Sequence, residues 1–425
     1  MTHKIYYKRI ADGLLEERLH SSGAILIEGA KWCGKTATAT RASKSQLYMQ
    51  DPDKALSYLK AADTKPSLLL QGETPRLLDE WQSAPVLWDA VRFMVDQRGG
   101  LPGQFILTGS AVPKDGVVKH TGTGRISRLT MRPMSLYESL ESNGSISLKD
   151  IFDGNKEIEC YSDLSIEKIA FAITRGGWPA SVGVDEKIAL RHAVDYVEAV
   201  INADISRVDG VEKSPVRVRA LMRSLARNIS TMATIRTIRD DIASGDADAS
   251  VSEKTISQYL TALDRIFVME DLPAWNPALR SKTAIRTSPK RHFVDPSIAT
   301  AVMRLTPSRL LEDFNYFGLL FESLCTRDLR IYAEAIDGQV FHYRDASGLE
   351  SDIVVCLNDG RWAAIEVKLG AKEIEKAAEH LLELKEKVNT DKMKKPSFLM
   401  ILTGTEFAYR RDDGVFVVPI GCLKD

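Results

Sequence analysis

The stretch "GAKWCGKT", residues 29–36, follows the apolar run "GAILIE" (23–28) and leads into "KTATATRASK" (35–44). Its pattern is G-x-x-x-x-G-K-T. Gly29 and Gly34 permit a tight turn whose backbone N–H groups converge on phosphate oxygens. Lys35 can reach the β/γ-phosphates, and the Thr36 hydroxyl can ligate Mg²⁺. The flanks read as a buried strand and the opening of a helix, whose N-terminus favours anions. The expected nucleotide-contacting set is Gly29, Ala30, Lys31, Trp32, Cys33, Gly34, Lys35, Thr36 and Ala37, and the expected ligands are ATP and Mg²⁺.

The loop occupies a small part of a 425-residue chain, long enough for two to four domains. A net charge of −1 gives the whole chain no electrostatic bias toward nucleic acid or membrane, so any such bias must be local. No apolar run reaches the roughly 18 residues of a membrane span, and "MTHKIYYKRIADGLLEERL" reads as a charged amphipathic helix. The five cysteines, at 33, 160, 325, 356 and 422, form no C-x-x-C pair. That pattern predicts a reducing cytoplasm without structural zinc or disulfides.

Hydrolysis needs a second signal, and "PRLLDEWQSAP" (75–85) supplies one. A short apolar strand ends in Asp79, placed to hold the Mg²⁺ water shell, and Glu80, placed to polarise the attacking water. "QFILTGSA" (104–111) is a third buried strand, bringing Thr108 or Ser110 beside the γ-phosphate if it neighbours the other two. "HTGTGRISRLTMRPMSLYESL" (120–140) carries Arg125, Arg128 and Arg132. Arg125, after the flexible "TGTG", is the first candidate for stabilising transition-state charge.

The charge balance changes in the middle of the chain. Between Ser206 and Arg239 stand eight basic and two acidic residues. Arg219, Arg223 and Arg227 share one helical face, opposite Val218, Leu221, Met222 and Leu225. "STMATIRTIRDDIA" (230–243) and "VSEKTISQYLTALDRIFVMEDLPAW" (251–275) then read as helix, turn, helix, strand, with Ser252 capping the second helix. That order suggests a winged helix, with "NPALRSKTAIRTSPKR" (276–291) as the wing. Its basic residues Arg280, Lys282, Arg286, Lys290 and Arg291 are the candidate DNA contacts. Packing against the nucleotide module, or a protein partner, are the competing uses of such a domain.

In the tail, "FGLLFESLCTRDLRIYA" (317–333) is a helix bearing Glu322. "QVFHYRDASGLESDIVVCLNDGRWAAIEVKLG" (339–370) gives three strands, with Asp352 opening the second and Glu366 and Lys368 alternating on the third. This Asp…Glu-x-Lys arrangement is the one found in restriction-endonuclease-like enzymes. Asp352, Glu366 and Glu322 are hard oxygen ligands suited to Mg²⁺. Lys368 can orient or deprotonate water and neutralise phosphate charge.

The ordered set "GAKWCGKT", "RLLDEWQ", "FILTGS", "GRISRLTMRPMSLYES", "FVDPSIA", "LLFESL" and "IEVKLG" resembles a prokaryotic family of AAA-type ATPases with a restriction-endonuclease-like C-terminal domain. The resemblance spans essentially the whole chain. It implies an α/β P-loop NTPase core over 1–140 and a helical lid or connector over 141–200. A helical and winged-helix domain over 201–305 and an α/β restriction-endonuclease-like domain over 306–425 follow. The expected function is Mg²⁺-dependent ATP hydrolysis coupled to a DNA-binding, DNA-cleaving tail, in a chain able to form homo-oligomers. The alternative is a nucleotide-dependent switch whose nuclease-fold domain is an inactive scaffold for protein or DNA.

Overall fold

The computed structural model describes residues 5–111, 122–208, 210–245, 251–280 and 284–425. The chain forms two compact units. The first comprises Met1–Pro133, Asn202–Lys213 and Tyr259–Val268; the second comprises Met134–Ile201, Ser214–Gln258 and Met269–Asp425.

The first unit opens with helix α1 (Ile10–Ser21) and strand β1 (Ala24–Glu28), followed by α2 (Lys35–Ala42), β2 (Ser45–Tyr48) and α3 (Ala55–Thr64). Then come β3 (Arg76–Asp79), α4 (Val86–Gln97), β4 (Phe105–Gly109) and β5 (Ile126–Thr130). All strand pairings are parallel, in the order β2-β3-β4-β1-β5. Both faces of such a sheet are covered by helices, which is why "AILI" and "FILTG" are continuous buried runs rather than alternating ones. On α4, Leu87, Val91 and Val95 recur every four residues, and all three are buried together with Trp88.

The second unit begins with β6 (Ile146–Ser147), α5 (Leu148–Phe152), β7 (Cys160–Tyr161), α6 (Ile166–Arg175) and α7 (Glu186–Ala199). The short α8 (Ile205–Arg207) belongs to the first unit. Next come α9 (Pro215–Arg227), α10 (Ile235–Gly245), α11 (Glu253–Arg265, of which the residues from Tyr259 on belong to the first unit), α12 (Ser297–Met303) and α13 (Pro307–Leu310). The long α14 (Phe314–Ala335) leads to β8 (Gly338–Arg344), β9 (Glu350–Leu357) and β10 (Trp362–Lys368). The chain closes with α15 (Ile374–Lys387), β11 (Phe398–Thr403), β12 (Phe407–Arg410), β13 (Phe416–Pro419) and β14 (Leu423–Lys424).

The three-strand reading of 339–370 is an antiparallel meander, and α15 is the crossover that lets β11 run parallel to β10. The sheet order is β7-β12-β13-β11-β10-β9-β8. Two pairings, one in this sheet and one in a separate two-stranded sheet, could not be read locally. β7, expected in a connector and lid, supplies the edge strand beside β12, and β6 pairs with β14. These pairings join segments more than 240 residues apart, so no local periodicity encodes them.

The family-like segments of this unit meet at a buried ionic knot. Arg327 on α14 pairs with Asp295 and with Asp328, each at 2.8 Å, and all three side chains are buried. Asp295 accepts from the Gly177 N–H at 2.9 Å, and Asp328 accepts from the Leu136 N–H at 2.9 Å. The segments "MSLYES" and "FVDPS", and the turn at Gly177, are thereby tied to one helix. A charge pair this deep persists because each carboxylate also receives backbone donors.

Candidate functional site

In the first unit the carboxyl ends of β1, β4 and β3 lie side by side, the usual place for a ligand in an open parallel sheet. Residues 29–34 join β1 to α2. Gly29 (φ 149°) could carry no side chain, because a Cβ there would lie 2.0 Å from the Met131 carbonyl oxygen. Gly34 (φ 108°) takes the left-handed conformation that starts α2. The Lys35 ammonium folds over the loop, donating to the Gly29 and Ala30 carbonyls at 2.8 Å each. Lys31 pairs with Asp204 at 2.6 Å, Cys33 is buried with its thiol donating to the Met131 carbonyl, and Trp32, Thr36 and Ala37 are exposed. Arg9 donates to the Cys33 carbonyl at 2.7 Å, a support for the loop that its sequence position does not announce.

Beside the loop, the hydroxyls of Thr36 and Thr108 both donate to Asp79 Oδ1, at 2.8 and 2.7 Å. One carboxylate oxygen thus links the ends of β3 and β4 to the first turn of α2. Glu80 sits in a left-handed turn (φ 55°), its N–H donating to Thr108 Oγ1 and its carboxylate accepting from Ser110 at 3.1 Å and from Gln82. Gln82, within the quoted "DEWQ", was not singled out by sequence. The Thr36 hydroxyl and Asp79 carboxylate are hard oxygen donors, and the α2 N-terminus and Lys35 supply positive potential. These residues fit Mg²⁺ and the phosphates of a nucleotide.

Arg125 is not brought to this site. Its carbonyl accepts from the Ala24 N–H, at the amino end of β1, whereas the loop begins at the carboxyl end. At ~3.3 Å per strand residue the two are separated by about 16 Å along the sheet. Arg125 pairs instead with Asp96 at 2.8 Å, and Arg128 pairs with Glu28 at 2.8 Å. A parallel sheet assigns residues to opposite ends by register, which sequence proximity to the third strand could not reveal.

The tail residues are gathered, with one unforeseen member. Asp352 Oδ2 accepts from the Val367 N–H at 3.0 Å and from Lys368 at 3.4 Å, and Lys368 also pairs with Glu366 at 2.7 Å. Lys290 enters the same cluster, its ammonium 2.7 Å from Glu322 Oε1 and 3.1 Å from Asp352 Oδ1. Burial and the Asp352 charge raise Glu366 to about 8 despite Lys368, and burial raises Glu322 to about 7. Burial alone would raise Asp352 as well, but Lys290 and Lys368 hold it below the ordinary carboxylate range. Burial thus favours the protonated form of Glu366, while the two ammoniums keep Asp352 ionised. Burial also depresses the neighbouring histidines, His342 to about 4 and His292 well below its usual value.

A divalent cation does not fit this arrangement. It would need several oxygens at ~2.0–2.6 Å, and Asp352 and Glu322 already converge on the Lys290 ammonium. No group of three or more acidic, histidine or cysteine side chains among the described residues has metal-binding geometry.

The basic strip departs from an exposed wing. Residues 269–272 and 290–293 form a two-stranded ribbon, with Leu272 and Lys290 exchanging hydrogen bonds of 2.9 and 3.0 Å. Between them, residues 273–280 and 284–289 lie along β8 and the end of α15: Trp275 N–H donates to the His342 carbonyl, Arg286 N–H to the Arg344 carbonyl and Arg280 N–H to the Lys387 carbonyl. Lys290 is buried and Arg291 is engaged by Asp271 and the Ala233 carbonyl, so neither offers its charge to phosphate. Arg280 and Arg286 are exposed, though the Arg280 guanidinium also donates to Val388 and Thr390; Lys282 lies outside the described residues. On α9, Arg219 and Arg227 pair with Glu198 and Asp241, while Val218, Leu221, Met222 and Leu225 are buried as their spacing predicts. Ser252 caps α11, accepting from the Thr255 N–H at 3.2 Å.

Residues 21–140 match the family model of the AAA domain. An AAA-type P-loop ATPase module occupies the first third of the chain. Residues 166–309 and 317–423 match two domains of unknown function, DUF8612 and DUF4143. No curated protein matches the chain. Among solved structures, the Walker-type ATPase PABY2304 of Pyrococcus abyssi is 16% identical, with 70% of this chain and 96% of that one covered and a TM-score of 0.42. The ORC2 protein of Aeropyrum pernix, solved as ADPNP–ADP complexes, is 14% identical, covering 73% and 92%, with a TM-score of 0.34. Drosophila ORC bound to DNA is 13% identical, covering 69% and 85%, with a TM-score of 0.17. No helix among the described residues is long and apolar enough to cross a membrane.

Proposed function

We propose that the chain hydrolyses ATP with Mg²⁺ and uses the cycle to switch a C-terminal α/β region that contacts DNA or a protein. The observation that carries this reading is the pair of threonine hydroxyls, Thr36 and Thr108, on one oxygen of Asp79, with Glu80 next in the chain. Lys35 would exchange two neutral carbonyls for phosphate oxygens, and the backbone of 29–34 would cradle them. Glu80, oriented by Ser110 and Gln82, would take the proton of the attacking water. Bound Mg²⁺ would neutralise charge on the phosphates, with Thr36 and Asp79 holding it. Glu80→Gln separates binding from turnover: nucleotide should still bind while phosphate release stops. Undiminished phosphate release from that variant would remove Glu80 from the mechanism.

The winged-helix reading of 201–305 and the restriction-endonuclease-like reading of 306–425 belong to the same proposal. The first is supported by α9, α10, capped α11 and the ribbon after it. The second is supported by the meander, its α15 crossover and the meeting of Asp352, Glu366 and Lys368. With Lys290 among those carboxylates, a scaffold is the reading of the tail that the geometry favours over a nuclease. Cleavage of single- or double-stranded DNA with Mg²⁺ or Mn²⁺, abolished by Asp352→Ala, would restore the nuclease.

A further inference from the structure

We propose that Lys290 is the resident cation of the tail cluster, an ammonium held where a divalent metal would otherwise be bound. Three observations converge. The Lys290 ammonium is within hydrogen-bond distance of both Glu322 on α14 and Asp352 on β9. Its backbone is fixed by two hydrogen bonds to Leu272, so the lysine is delivered by a paired ribbon rather than by a loose loop. It is 7% exposed, at a depth where a lysine persists only if its charge is matched.

The donors that remain do not make a second cation position. Asp352 Oδ2 is committed to the Val367 N–H and to Lys368, and one oxygen of Glu366 is taken by Lys368. The other, Glu366 Oε1, is buried and accepts no hydrogen bond among the described residues. That orphaned oxygen points to a cluster with ligands to spare once the ammonium is removed. The carboxylates are therefore a cation-binding set whose cation is covalently part of the chain. The position then needs no exchangeable ion to fill it, and the tail keeps its shape whatever the supply of Mg²⁺. This inference is independent of the ATPase reading and can fail without it.

The test counts divalent ions on the intact chain by Mn²⁺ electron paramagnetic resonance, without nucleotide. Wild type and Asp352→Asn are expected to bind equal numbers of ions, because Lys290 already fills the cluster. Lys290→Met, which keeps the length of the side chain and removes its charge, is expected to bind one more ion per chain. Adding Asp352→Asn to Lys290→Met should remove that ion again. If Lys290→Met folds only when Mn²⁺ is added, seen as a metal-dependent melting temperature absent from wild type, the proposal is equally supported. A lower count in Asp352→Asn than in wild type would overturn it, since metal would then displace the ammonium in the native chain. A folded Lys290→Met without the extra ion would overturn it too. The wild-type and Asp352→Asn comparison requires no Lys290 variant, so the proposal stays exposed even if Lys290→Met does not fold.

Discussion

Lys35 and Lys290 are buried to nearly the same depth, 5% and 7% exposed, and each ammonium grips two oxygens. Lys35 holds the neutral carbonyls of Gly29 and Ala30, in a loop where Thr36, Ala37 and Trp32 face solvent. Lys290 holds two carboxylates under a paired ribbon. Neutral partners can be surrendered to an incoming phosphate, since one set of hydrogen bonds replaces another. Charged partners in a buried site cannot be surrendered without leaving uncompensated charge. Partner charge rather than burial therefore separates a lysine poised for a ligand from one that completes the fold.

Exchanging the two lysines for neutral residues should split the molecule's properties. Lys35→Ala should weaken ATP binding and turnover by roughly 10²–10³-fold, as expected for losing a charged contact worth about 3–4 kcal/mol, while the melting temperature barely moves. Glu80→Gln should lower turnover by about 10²-fold or more with nucleotide affinity retained. Lys290→Met should do the reverse, destabilising the chain by about 3–5 kcal/mol in urea unfolding without divalent metal, with ATP turnover per folded molecule unchanged. Loss of turnover in Lys290→Met, or loss of stability in Lys35→Ala, would break the comparison.

A pH titration sharpens it. Folding raises Glu366 to about 8 and Glu322 to about 7, above their ordinary carboxylate values, so the native state holds protons that the unfolded chain gives up. Their contribution is complete below the unfolded pKa and is lost as pH rises through the folded ones. The urea midpoint should fall between pH 5 and 8.5, and Glu366→Gln should flatten that decline. Asp352, depressed by the two ammoniums, acts in the opposite sense and only in strong acid. The smallest effect is expected on the basic strip. Arg280→Ala with Arg286→Ala should change the salt dependence of any DNA binding by a slope of at most about two, because Lys290 and Arg291 are occupied.

The sequence by itself determined the parts whose physics is local. Two glycines, a lysine and a threonine at fixed spacing, between an apolar run and a helix start, specified the phosphate loop. "RLLDE" and "FILTGS" specified the strand ends beside it, and alternation in "IEVK" put Glu366 and Lys368 on one face. Tertiary structure decided what depends on register and on distant partners. The parallel pairing of β1 with β5 set Arg125 at the far end of the sheet from the loop. The pairing of Leu272 with Lys290 turned one residue of a basic strip inward, onto carboxylates 32 and 62 residues away in sequence. A lysine in sequence carries the same charge in either place; whether solvent, a carbonyl or a carboxylate receives it is fixed only when the chain has folded.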